Sequence, residues 1–263
     1  MGKGALDDQV RLSDLLRPDV DYTRPRRGGK ALFDLLGDLS GQRILDVGCG
    51  LDPYREILVE KGAIWIGLDL TGRACTVRGD SGRLPFRDGS FDGVLSAAVL
   101  EHLPEPGRSL EETHRVLRPG GRLFGYVAFL EPLHGMSYFH LSHMGLEYLL
   151  LRHGFHPQRI YPSHVGLAFQ LEQILFTKPV PMVQPVGRAL LRWSARGLLA
   201  LNRWSREILT LTRRLPAEER REQRRQYRQL LGLRYAVGFN FVAIRSDVRV
   251  EPGTGYRALV KGG

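Results

Sequence analysis

The stretch Ile44-Leu45-Asp46-Val47-Gly48-Cys49-Gly50 constrains this chain more than any other, because an apolar run ends in an acid and then in two glycines flanking one small residue. It reads as a strand feeding a loop whose backbone comes close to a ligand, since glycine turns there with no side chain in the way. The same pattern opens dinucleotide-binding domains. A second apolar run, Ile64-Trp65-Ile66-Gly67-Leu68, closes on Asp69, about twenty residues on, where an α/β nucleotide-binding unit places the carboxylate that takes ribose hydroxyls. The dinucleotide reading weakens at Pro53, which stands where the third glycine of Gly-x-Gly-x-x-Gly belongs.

Further words follow in order: Gly79-Asp80 with Leu84-Pro85-Phe86, Phe91-Asp92-Gly93-Val94-Leu95-Ser96, Leu100-Glu101-His102-Leu103, and Leu117-Arg118-Pro119-Gly120-Gly121 leading into Arg122-Leu123-Phe124. In that order and spacing the series resembles class I S-adenosylmethionine-dependent methyltransferases of the small-molecule type, relatives of the ubiquinone-biosynthesis enzymes. The resemblance runs over roughly residues 40 to 160 and lies in the ordered set, not in any single word. It implies S-adenosyl-L-methionine as cofactor. It also implies Asp46, Gly48, Cys49 and Gly50 at the methionine end, Asp69 and Leu70 at the ribose, Asp80 and Ser81 at the adenine, and Ser96 and Ala97 near the transferable methyl. A lone Asp is more often a helix cap or a loop residue; that alternative stays open for Asp80. Many relatives carry Gly-x-Gly-x-Gly, whereas here the last of those positions is Asp52, which leaves the shape of the loop to be determined.

The periodicity predicts an amphipathic segment over Lys30–Leu39, a first strand after Ser40-Gly41, and a helix over Asp52–Lys61. A second strand to Asp69, a short third around Cys75–Arg78 and a fourth at Gly93–Ser96 come next. Glu111–Leu117 is the tail of a helix stopped by Pro119-Gly120-Gly121, and Arg122–Phe129 is the fifth strand. A helix over His143–His153 with Gly154 in the capping position and a strand over Phe155–Tyr161 follow. Ala236–Ile244 is the best candidate for the last strand, with some seventy residues inserted before it. The expected class is α/β: a Rossmann-like, doubly wound, mostly parallel seven-stranded sheet with a helical insertion before the last strand. The expected organisation is a lead and first helix over 1–40, a core over 41–165, a basic helical insertion over 166–233, the last strand over 234–247, and a Gly-rich flexible tail over 248–263.

Charge is unevenly placed. The net charge is +10, and between Pro185 and Leu230 twelve arginines face four glutamates, leaving +8 in that segment. The core is therefore close to neutral, which argues against reading the total as a nucleic-acid footprint. Val186, Leu190, Trp193, Leu201, Trp204, Ile208, Leu211 and Leu215 fall on one helical stripe among these arginines. Such a stripe suits peripheral contact with an anionic membrane through 185–230, or packing on its own domain or in a homodimer. Met1–Asp8 has no apolar core of a secretory signal, and no uncharged run approaches the roughly 20 residues that span a bilayer. With two cysteines, Cys49 and Cys75, neither a disulfide framework nor a metal site is supported, and a reducing cytoplasm is the expected setting.

Methyl transfer to a hydroxyl asks for alignment and a proton acceptor. Of the histidines after the fifth strand, His140 and then His143 are the candidate bases, with His134 beside them, although a lone histidine is more often structural. Glu101 and His102 are read as fixing the loop around the methionine end. The leading expectation is methyl transfer to a small-molecule acceptor, such as a sugar or lipid-linked intermediate at a membrane surface. The alternatives are an RNA methyltransferase and a non-catalytic S-adenosylmethionine-binding scaffold. Against RNA, there is no Asn/Asp-Pro-Pro-aromatic tetrapeptide after the fourth strand and no Pro-Cys nucleophile.

Overall fold

The computed structural model describes residues 16, 19–23, 31–131, 136–163, 193, 194, 197, 200, 201 and 216–248. Seven strands form one sheet: β1 (Arg43–Val47), β2 (Ile64–Asp69), β3 (Val77–Arg78), β4 (Phe91–Ala97), β5 (Leu117–Ala128), β6 (Phe155–Pro162) and β7 (Gly238–Arg245). Their order is β3-β2-β1-β4-β5-β7-β6. β3, β2, β1, β4 and β5 run parallel, and β7 pairs antiparallel with both β5 and β6. This is the Rossmann-like arrangement expected, and the strand order reverses at β1 and β4. Open α/β sheets bind ligands beyond the carboxyl ends of the strands at such a switch point.

Two apolar layers hold the sheet. Leu45, Val47, Val94, Leu123 and Phe239 face one core with Leu110 and Leu146, whereas Ile44, Leu95 and Phe124 face another with Leu32, Phe33 and Leu58. Strand side chains alternate, so Asp46, two residues after Ile44, opens onto the second face. The helices are α1 (Ala31–Asp34), α2 (Arg55–Glu60), α3 (Pro106–Val116), α4 (His143–Arg152) and α5 (Ala217–Arg234).

Several boundaries differ from expectation, each for a local reason. Of residues 31–39 only α1 is helical, and Leu36 and Leu39 reach the core from the following loop. The helix expected from Asp52 starts at Arg55, because Asp52 takes φ +54°, outside the helical region. β3 is only two residues long. The largest correction concerns Arg118-Pro119-Gly120-Gly121: these residues do not separate a helix from a strand but bulge out of β5. Leu117 pairs with Phe91, the register then jumps to Arg122 opposite Gly93, and Gly120 turns the excursion with φ +71°. Of the insertion, α5 and a few residues around 193–201 are described. His134, the tail beyond 248 and most of the apolar stripe, including Trp204, lie outside the described residues.

Candidate active site

Asp69 is the hub of the switch point. Its Oδ1 accepts the backbone N–H groups of Thr71 (2.8 Å) and Gly72 (2.5 Å), and its Oδ2 accepts that of Gly50 (2.9 Å). Burial opposes ionisation here, but the amides of Thr71, Gly50 and Gly72 outweigh it and hold the carboxyl below the usual aspartate range. A carboxylate offers about four lone-pair sites. Backbone amides take three and the Thr71 side chain hydrogen-bonds as well, so a ligand hydroxyl would exchange with that side chain at the mouth of the cleft.

The glycine loop does something other than expose amides. Gly48 and Cys49 both donate to the Leu68 carbonyl, at 2.7 and 3.1 Å, and Gly50 is spent on Asp69. With its donors satisfied, the loop offers close approach and carbonyl oxygens, which suits a cationic ligand better than an anionic one. Gly48 sits at φ +70°, and a Cβ there would stand 2.5 Å from Val99 Cγ2. Asp52, in the position where a third glycine is common, adopts the left-handed conformation itself. Asp is among the few side chains that do so readily, so the departure from Gly-x-Gly-x-Gly leaves a glycine-like turn. Ala98, after β4, is the other non-glycine residue at positive φ among the described residues. Both strained positions flank the cleft.

Asp46 is buried beneath this loop, and Trp65 Nε1–H donates to its Oδ2 at 3.2 Å. Desolvation, reinforced by the charges of Asp52 and Asp69, pushes its carboxyl up to about 7 against the opposing Trp65 hydrogen bond. Gly67 makes the Trp65 contact feasible. It lies opposite Asp46, and a Cβ there would stand 2.4 Å from the indole. The Cys49 thiol is buried and pushed up to about 12 by that burial. It is a packed side chain, not a nucleophile.

The remaining residues lie around the same edge. Gly79 N–H donates to the Asp69 carbonyl, bringing the Asp80 loop beside Asp69. Asp80 is exposed and closes an Asx turn on Gly82, Ser81 is buried, and Leu70 is exposed. The neighbouring Leu84-Pro85-Phe86 segment is fixed by Arg115, which donates to the Leu84 and Phe86 carbonyls, and by Glu112, which accepts from Leu84 N–H. Ser96 is buried and Ala97 half-buried at the end of β4. The two candidate bases part company. His140 is exposed on the segment 136–141, which crosses the carboxyl edge. His143 opens α4, packed edge-on against Tyr22 (6.2 Å) and Phe239 (6.1 Å), on the opposite face of the sheet from Asp46. Glu101, fully buried, accepts from Ala128 N–H through Oε1. Its backbone carbonyl accepts from Tyr138 and Phe139 N–H, and burial raises its carboxyl. It thereby ties segment 136–141 to the end of β5.

Residues 45–125 match the family described as a methyltransferase domain. Over this stretch the chain is similar to methyltransferase domains. It is 34% identical over 131 residues to a demethylmenaquinone methyltransferase of Beutenbergia cavernae, covering 46% of this chain and 55% of that one. It is 30% identical over 157 residues to a ubiquinone biosynthesis O-methyltransferase of Paracidovorax citrulli, covering 52% and 64%. The matched segments thus span little more than half the length of these relatives. Among solved structures, the 4+2 cyclase SpnF superposes with a TM-score of 0.51 at 18% identity, over 88% of this chain and 87% of the other. At that identity the likeness speaks for the fold alone.

The residues of this stretch fit S-adenosylmethionine. A hydrogen-bonded carboxylate stands ready for hydroxyl donors, a donor-poor loop admits a cation, and a buried acid held near neutrality stands to gain from one. Bound S-adenosylmethionine would supply an activated methyl on a sulfonium; Asp69 would hold its ribose, the Asp80–Ser81 loop its adenine, and Asp46 its cationic end. A pH dependence follows. Because folding raises the Asp46 pKa, the ligand-free protein loses stability as pH rises from the ordinary aspartate range toward 7. The ionised form is also the one that attracts a cation, so affinity for S-adenosylmethionine should fall as pH drops below about 7, and binding at pH 6.5 should release a proton. Calorimetry in buffers of different ionisation enthalpy measures that release, and it should vanish in Asp46→Asn.

Proposed function

We propose that this protein transfers a methyl group from S-adenosylmethionine to a small-molecule acceptor that has an apolar body and a hydroxyl group. The observation that carries the reading is the joining of the glycine loop to the acid closing β2, Gly50 N–H to Asp69 Oδ2 at 2.9 Å. This contact builds one cradle from the two segments that the cofactor would bridge. The quinone-type names of the relatives favour a ring-bearing acceptor. So do the exposed Met136, Tyr138 and Phe139 on the segment crossing the carboxyl edge.

Peripheral attachment to an anionic membrane is the second part of the proposal. Trp193 and Leu201, both on the apolar stripe, are 79% and 61% exposed, and α5 carries six arginines against three glutamates. Among the described residues no helix is long and apolar enough to cross a membrane, so any attachment through them would be interfacial.

Calorimetric titration with S-adenosylmethionine and S-adenosylhomocysteine tests the cofactor, and a methyl-transfer screen against a cell extract, read by mass spectrometry, names the acceptor. Absence of binding by both compounds overturns the reading. Binding without any methylated product favours a non-catalytic scaffold. Co-sedimentation with phosphatidylserine vesicles, set against gel shifts on structured RNA at physiological salt, tests the membrane contact.

A further inference from the structure

Between β3 and β4 the chain runs from Gly79 to Ser90 with neither helix nor strand. A loop of that length keeps one shape only when groups outside it supply the hold. At its start Gly79 N–H donates to the Asp69 carbonyl at 3.1 Å. Asp80 then heads a turn, accepting Gly82 N–H on Oδ1 (2.8 Å) and Arg83 N–H on its carbonyl (3.0 Å). Pro85 folds back beside Gly79, where a Cβ would stand 3.5 Å from Pro85 Cδ. The turn that carries Asp80 is therefore closed by the segment Leu84-Pro85-Phe86, and whatever fixes that segment fixes Asp80.

The fixing comes from two residues one turn apart on α3. Arg115 Nε donates to Glu112 Oε1 (2.9 Å), and its Nη1 donates to the Phe86 carbonyl (2.7 Å) and to Asp88 Oδ1 (2.7 Å). Its Nη2 donates to the Leu84 carbonyl (2.9 Å) and to Glu112 Oε2 (2.8 Å). All five guanidinium N–H groups are thereby committed. Glu112 Oε2 also accepts Leu84 N–H at 2.7 Å, so both polar groups of the Leu84 backbone end on one ion pair. The helix itself is docked by Leu110 and Val116, buried in the core that also takes Leu84. The ion pair thus acts on the loop rather than on the seating of α3.

We propose that Arg115, paired with Glu112, is the positioning residue for the adenine. It holds residues 80–86 in the shape in which Asp80 meets the ring's amino group, so that selectivity for that base is set from α3. The proposal rests on the reading of the Asp80–Ser81 loop as the adenine's and goes beyond it in naming what gives the loop its selectivity. With every donor committed, Arg115 works through the loop and not on the ligand. Ordering the loop in advance lowers the entropy lost when the cofactor docks. Lysine could not take its place, since an ammonium has three donors and no planar fork. An adenine amino group donates to a carboxylate, whereas hypoxanthine presents a carbonyl oxygen there, which the carboxylate repels.

The test compares S-adenosylhomocysteine with S-inosylhomocysteine by calorimetry. Wild type should favour the adenosyl compound by about tenfold or more. In Arg115→Lys and in Glu112→Gln the adenosyl compound should bind about tenfold more weakly, and the inosyl compound within about threefold of wild type, so the preference largely disappears. Hydrogen exchange at the Leu84 amide should quicken in both variants while the β4 amides stay protected. Should Arg115→Lys fail to fold, Glu112→Gln, which keeps a side-chain oxygen at the same place, decides alone. Equal weakening of both compounds, with the preference intact, is what a brace serving only folding would give. That result, alongside an Asp80→Ala variant that has lost the preference, overturns the role of Arg115. A preference missing from wild type, or undiminished in Asp80→Ala, removes the underlying adenine reading instead.

Discussion

Asp69→Ala should weaken S-adenosylmethionine and S-adenosylhomocysteine binding by on the order of 100-fold or more while leaving the sheet folded. The side chain serves two purposes that fail together. It would receive the ribose hydroxyls, and it already holds three backbone amides, of Gly50, Thr71 and Gly72, that keep the two cofactor loops together. Hydrogen bonds to a charged acceptor contribute about 1.5–3 kcal/mol each, so removing the carboxylate both frees the loops and removes the proposed acceptor of the ribose. Asp69→Asn should be nearly as damaging, because an amide nitrogen would confront at least one of those N–H donors. Calorimetry reads the affinity, and circular dichroism confirms the fold. Binding within about threefold of wild type would sink the assignment of Asp69.

The second large effect is structural. A Cβ on Gly125 would lie 1.7 Å from the Ser96 carbonyl oxygen and 2.7 Å from its carbon. Both are main-chain atoms of the central β4–β5 ladder, where Ser96 pairs directly with Gly125. No rotamer change relieves such a clash, so the strands must separate at the edge that carries Ser96, Ala97 and Tyr126. Gly125→Ala should cost more than about 3 kcal/mol and leave little soluble folded protein. The control is Gly145→Ala in α4, where the nearest atoms stand at 3.4 and 3.7 Å. There the methyl fits and the helix should gain about 0.5–1 kcal/mol. Chemical denaturation of both variants measures the contrast; equal stability would show that the β4–β5 approach is looser than described.

The parts legible in the sequence are those where the backbone itself makes the demand. The glycine loop after β1, the acid closing β2 and the delayed last strand follow from residue type and spacing, and the sheet assembled around them. What escaped depends on neighbours distant in the chain. The Trp65–Asp46 contact needs Gly67 to lie opposite Asp46 and make room for the indole, a fact of register that no local window contains. His143 and Tyr126 both follow apolar or irregular stretches in sequence. Which face each presents is decided by sheet pairing, which sends His143 to the Phe239 side and Tyr126 to the Asp46 side. Arg118-Pro119-Gly120-Gly121 carries the chemistry of a stop and is a bulge, because Leu117 is already paired before it begins.

The placement of β7 between β5 and β6 bears on how the molecule comes together. Of the strands, β6 hydrogen-bonds to β7 alone, and β5 needs it to cover its outer side. The sheet therefore stays open along β5 throughout synthesis of everything before residue 238, a long row of unsatisfied amides and carbonyls waiting for a late arrival. During that interval the nascent protein is exposed to mispairing with other chains. A single late strand thus closes both the outer side of β5 and the inner side of β6.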